Sequence, residues 1–92
     1  MKTRVHVLIS GKVQGVWYRG STKQKADELG LIGWVKNTAD GNVEAVFEGE
    51  KKQIDAMITW CWIGPPMARV SDVKMLPTHS DEKCTGFVVL YK

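Results

Sequence analysis

A chain of 92 residues has room for one domain, expected over residues 1–92, with a thin core: about 60–65% of the surface of the unfolded chain is buried at this size. Apolar residues make up 43% and charged residues 25%, ordinary globular values that exclude disorder, collagen and extended coiled coil. Thirteen Lys+Arg against ten Asp+Glu leave +3, an excess that suits a small anion at least as well as nucleic acid and does not choose between them.

The apolar run at 5–9, broken by His6, is too short for a signal sequence or a membrane span. A cytoplasmic protein is therefore expected, with Cys61 and Cys84 as free thiols. Neither cysteine has metal-ligand spacing to a neighbour, and His6 and His79 stand apart, so no metal or other cofactor is expected.

In residues 4–10, Val5, Val7 and Ile9 fall on one face and Arg4, His6 and Ser10 on the other, with Leu8 the exception, which is a half-buried strand. Residues 11–15 interrupt it. Residues 18–29 read as a helix with Thr22, Ala26 and Leu29 on one face and Gly30 as its cap. Its start is ambiguous, because Ser21 and Gln24 fit a capping box that begins the helix after Tyr18. Residues 32–38 and 42–48 are strands joined by Ala39-Asp40-Gly41, a tight-hairpin signal. Residues 50–63 form a second helix with Ile54, Met57, Ile58 and Cys61 inward, ended by Gly64-Pro65-Pro66. Residues 68–76 are a strand in which Val70 and Val73 share a face only if a bulge intervenes. A polar loop at 77–85 leads to a last strand at 86–91. The order is βαββαβ with an additional C-terminal strand. The expected fold is an α+β ferredoxin-like sandwich, an antiparallel sheet with both helices on one face. Such a fold hosts many functions and names none.

Gly11-Lys12-Val13-Gln14-Gly15-Val16-Trp17-Tyr18-Arg19 leaves a strand and runs into a helix. Successive backbone N–H groups in such a loop can turn toward one anion, assisted by the helix N-terminus. Arg19 adds a planar fork of donors suited to phosphate or carboxylate. The pattern is neither a nucleotide P-loop nor a dinucleotide fingerprint. No cysteine lies between residues 11 and 19, so a phosphocysteine mechanism has no nucleophile there. Asn37 and Thr38, near the end of an inner strand, are the second unusual feature: a turn-proximal amide, or one presented to hold a water or a developing charge.

Together the two stretches resemble the acylphosphatase family. Gly11-x-Val13-Gln14-Gly15-Val16-x-Tyr18-Arg19 is similar to its first signature, and Gly33-Trp34-Val35-Lys36-Asn37-Thr38-x-x-Gly41-x-Val43 to its second. The resemblance covers nearly the whole chain. It implies a hydrolase that cleaves the carboxyl-phosphate bond of acyl phosphates without metal or covalent intermediate. It also implies a role for each residue: Arg19 grips the phosphate, the amides of Gln14, Gly15, Val16, Trp17, Tyr18 and Arg19 cradle it, Asn37 orients the attacking water, and Thr38 fixes Asn37. Tyr18 stands where phenylalanine is common. Trp17, at a variable position, bears on the acyl side. Lys92 follows Tyr91, where some relatives stop at the tyrosine; if a terminal carboxylate orients the arginine there, the extra residue is a departure from that contact.

His6 and His79 read as surface histidines and Lys51-Lys52 as a solvated pair. Trp17, Trp34, Trp60 and Trp62 read as core or sheet-face packing, Cys61 as core and Cys84 as a loop thiol. A nucleic-acid module of the same fold lacks its aromatic strand signature, since 42–48 offers Phe47 alone. A noncatalytic carbamoyl-phosphate-type module within a larger enzyme is the other alternative. The expected partner is a small acyl phosphate, with no nucleic acid and no membrane, and the protein is expected to be a monomer.

Overall fold

The computed structural model describes residues 2–78 and 85–90. Strand β1 (Lys2–Lys12) leads to helix α1 (Tyr18–Glu28), then β2 (Ile32–Asn37), β3 (Val43–Glu50), α2 (Lys51–Ile63), β4 (Arg69–Leu76) and β5 (Phe87–Leu90). The strands make one five-stranded sheet in the order β4-β1-β3-β2-β5. Every pairing is antiparallel except β2 with β5, which is parallel. The expected wholly antiparallel sheet is thus corrected at one edge. β4 and β5 lie on opposite edges, so they are not joined as a hairpin, and β5 runs in the direction of β2.

The period-two pattern of β1 decides which face is covered. Val7 and Ile9 are fully buried with Val35, Val43, Ala45 and Phe47 of the neighbouring strands. The inward residues of both helices, Tyr18 and Ala26 from α1 and Ile54, Met57 and Cys61 from α2, join the same cluster. Both helices therefore lie on one face, as the sequence predicts. Phe47 and Phe87 stack with ring centroids 5.5 Å apart and tie β5 into this core. α1 ends where Gly30 N–H bonds to Asp27 O and Leu31 N–H to Ala26 O, the paired bonds of a Schellman cap.

β1 continues through Gly11 and Lys12 rather than stopping at residue 10. Ser10 pairs with Asp72 and Gly11 with Val70, so Ser71 is the extra residue of a bulge in β4. That bulge sets Val70 and Val73 against the same core. Gly11 faces it closely: a Cβ there would lie 2.1 Å from the Arg69 carbonyl oxygen. Its glycine serves strand pairing, not the anion loop. Among the described residues no helix is long and apolar enough to cross a membrane. The readings of His79, Cys84 and Lys92, and the last residue of the final strand, fall outside the described residues.

Candidate active site

Sheet pairing brings the two sequence motifs to one end of the molecule. Val43, at the start of β3, pairs on one side with Ile9 and on the other with Asn37. The loop after β1 therefore lies one strand away from the end of β2. Gln14 spans the gap: its Nε2 donates to the carbonyl oxygens of Thr38 and Asn42, each at 2.8 Å. Both amide hydrogens are used, so the side chain works as a clamp between loop and hairpin.

The hairpin end is itself locally closed. Gly41 N–H bonds back to Thr38 O and Thr38 N–H to Asn42 O, the pattern of a turn with a bulge. The Thr38 hydroxyl donates to the Asp40 carboxylate and accepts from the Asn42 N–H. Thr38 thus holds the turn, and its hydroxyl is engaged there rather than with the Asn37 side chain.

Between β1 and α1 the backbone is left-handed at Gly15 (φ 74°) and again at Trp17 (φ 67°). Glycine adopts this conformation freely, whereas an L-residue pays roughly 1–2 kcal/mol. Trp17 is the one non-glycine with positive φ among the described residues. It is also the N-cap of α1, with no side-chain cap bond. The first intrahelical bond runs from Ser21 N–H to Trp17 O, so the N–H groups of Tyr18 and Gly20 have no partner within the helix. No acidic residue occupies that first turn. Uncapped donors at the positive end of a helix favour an anion.

The Ser21/Gln24 capping box does not set the helix start. Tyr18 does, through a long-range tie: its hydroxyl donates to Cys61 O at 2.7 Å and its ring meets that of Trp60 at 5.5 Å. Tyr18 is buried, and burial raises its hydroxyl well above the usual phenolic range. Burial likewise pushes the Cys61 thiol up to about 12, so it is neutral at physiological pH.

A pocket of about 290 Å³ opens at this helix end, lined by Val13, Gly15, Trp17, Tyr18, Arg19, Gly20 and Asn37. Arg19 and Asn37, the two candidate catalytic residues, thus share one concavity. The Arg19 Nη1 makes a long contact, 3.5 Å, to the Leu90 carbonyl at the end of β5. The Asn37 Oδ1 is buried and has no hydrogen-bond partner among the described residues. Of the remaining cradle positions, Gly15, Trp17 and Tyr18 line the pocket. Val16 packs into the core, and the Gln14 side chain is turned to the hairpin.

Other candidates lie elsewhere. His6 pairs with Glu44 and meets Trp34 edge-on, on the sheet face without helices. Trp60 packs as expected, but Trp17 is 73% exposed and Trp62 49%, which corrects the reading of all four tryptophans as packed. Sequence reasoning also passes over Gly20, whose missing Cβ leaves room for the Trp17 ring. Among the described residues no three His, Cys, Asp or Glu side chains group to hold a metal ion.

The acylphosphatase family model matches residues 5–89. An acylphosphatase from Methylococcus capsulatus is 52% identical over 87 residues, covering 95% of each chain. A solved acylphosphatase structure from Coxiella burnetii superposes with a TM-score of 0.89 at 45% identity, over 97% of this chain and 93% of that one. One from Bacillus subtilis gives 0.90 at 32% identity, over 99% and 100%. With its paired motifs, its fold and these relatives in agreement, the chain belongs to the acylphosphatase family.

Proposed function

We propose that this protein hydrolyses acyl phosphates to a carboxylate and inorganic phosphate, with Arg19 and the loop amides from Gln14 to Arg19 binding the phosphoryl group and Asn37 orienting water. One observation carries the reading: Arg19 and Asn37 line one small pocket at a helix N-terminus that has no side-chain cap. The guanidinium and N–H donors suit the phosphoryl oxygens. The Asn37 side-chain amide, at the same pocket, offers an acceptor and two donors to a water.

The water oxygen bonds to phosphorus while the bond from phosphorus to the acyl oxygen breaks. The electron pair leaves on the carboxylate, a good leaving group that needs no strong acid. Charge on the equatorial phosphoryl oxygens is met by Arg19 and the amides, so positioning and electrostatics supply the acceleration. Asn37 is a neutral amide and does not take the proton, which passes from the water to a phosphoryl oxygen. No covalent intermediate forms: Cys61 is a buried neutral thiol, and the Tyr18 hydroxyl is bound to its carbonyl. Arg19 supplies the positive charge, and a metal ion is not required. The proposed functional unit is a monomer.

Pure protein incubated with an acyl phosphate in EDTA tests this. Turnover is expected in EDTA, with a loss of about a hundredfold or more in Arg19→Gln. No turnover by the parent overturns the activity, and turnover indifferent to Arg19→Gln overturns the site. A pH–rate limb that vanishes on replacing one carboxylate or histidine contradicts the proton path.

A further inference from the structure

Trp17 combines features that packing does not explain. Its side chain is 73% exposed, the largest exposure among the large apolar residues described. Its backbone is left-handed, so the position is strained as well as solvated. Yet the ring has a definite seat. A Cβ on Gly20 would fall 2.6 Å from the indole Cε2 and 2.7 Å from Cζ2, so the ring rests on the bare backbone of the first helical turn. From that seat it lines the same pocket as Arg19 and Asn37. Strain and apolar exposure together, held in a fixed orientation at a pocket, point to a ligand contact.

Which part of a ligand meets it follows from the chemistry. The guanidinium and N–H donors take the phosphoryl group, so the acyl group must project past the pocket's lining toward solvent. There the indole offers a broad apolar surface, and Arg19 is the sole charged residue of the lining. We infer that Trp17 is a specificity-determining residue, a platform on which flat apolar acyl groups stack, so that this protein favours aromatic acyl phosphates over small aliphatic ones. The inference rests on the proposed function and names the substrate class of that site.

The test compares benzoyl phosphate and acetyl phosphate as substrates for the parent, Trp17→Phe, Trp17→Asn and Trp17→Gly. Asn and Gly tolerate the left-handed backbone and so keep the loop in place. The benzoyl-to-acetyl ratio of kcat/KM is expected to fall by about tenfold in the Asn and Gly variants and to stay near the parent in Trp17→Phe. Equal losses on both substrates, or an unchanged ratio, overturn the inference, because Trp17 then only shapes the loop. Binding of phenylphosphonate and methylphosphonate, which are not hydrolysed, separates this failure from failure of the activity. The parent should bind the phenyl compound more tightly, and Trp17→Gly should lose that margin. A retained margin overturns the platform whether or not the parent turns over acyl phosphates. A margin lost with Trp17, in a parent that hydrolyses neither substrate, upholds the platform and overturns the activity.

Discussion

Gln14 donates its side-chain amide to the Thr38 carbonyl at 2.8 Å, joining the loop between β1 and α1 to the turn that follows Asn37. A second bond, to Asn42 O, uses the other hydrogen. The relative position of Arg19 and Asn37 thus depends on a residue that does not line their pocket with its own side chain. Gln14→Ala should lower stability by about 1–2 kcal/mol and reduce kcat/KM. Gln14→Glu keeps the shape but sets a carboxylate against two carbonyls, so it should be the worse variant in both thermal melts and kinetics. Equal behaviour of the two variants would mean that the clamp is only steric.

Arg19→Lys keeps the charge and removes the fork. A loss of about tenfold to a hundredfold in kcat/KM is expected, smaller than for Arg19→Gln. Steady-state kinetics on one acyl phosphate decides it; a Lys variant at parent activity would show that charge alone is enough.

Gly20→Ala in an exposed helix normally stabilises by about 0.5–1 kcal/mol. Here the new methyl meets the Trp17 ring. The substitution should lower Tm in the parent and raise it in a Trp17→Gly background. A stabilising effect in both backgrounds would show that the ring leaves its seat at no cost.

Stability should fall on the alkaline side. The folded-state pKa of Cys61 is raised from 9.0 to about 12, and that of Tyr18 is raised too. The unfolded chain therefore releases these protons first as pH rises. Stability that is fully present below pH 9 is lost toward pH 12, at about 1.4 kcal/mol per pH unit for each group that titrates. Cys61→Ala should flatten the onset near pH 9, leaving the Tyr18 contribution to begin about a unit higher; melts across pH 8–11 measure it.

Much of this was legible in the sequence because it is local. Alternation at Val5, Val7 and Ile9 marks the buried face of β1, helical spacing marks Ile54, Met57 and Cys61, and Asp40-Gly41 marks the hairpin. Arg19 and Asn37 stand out through residue chemistry beside glycines and through their motifs. What escaped is long-range. The Tyr18–Cys61 bond spans 43 residues and overrides the local capping signal of Ser21 and Gln24. The Gln14 clamp spans 24 and 28 residues. The direction of β5 depends on which strand it joins, which its own residues do not encode. Trp17 misleads because a large apolar side chain is by default assigned to the interior.

Asn37→Ala gives the most direct measurement of the central claim, read as acyl phosphate turnover beside the affinity for inorganic phosphate. If Asn37 orients the water while Arg19 and the amides hold the phosphoryl group, kcat should fall by about a hundredfold or more while phosphate affinity stays within a fewfold of the parent. Turnover that survives the substitution, or that falls only in step with phosphate affinity, would contradict the account.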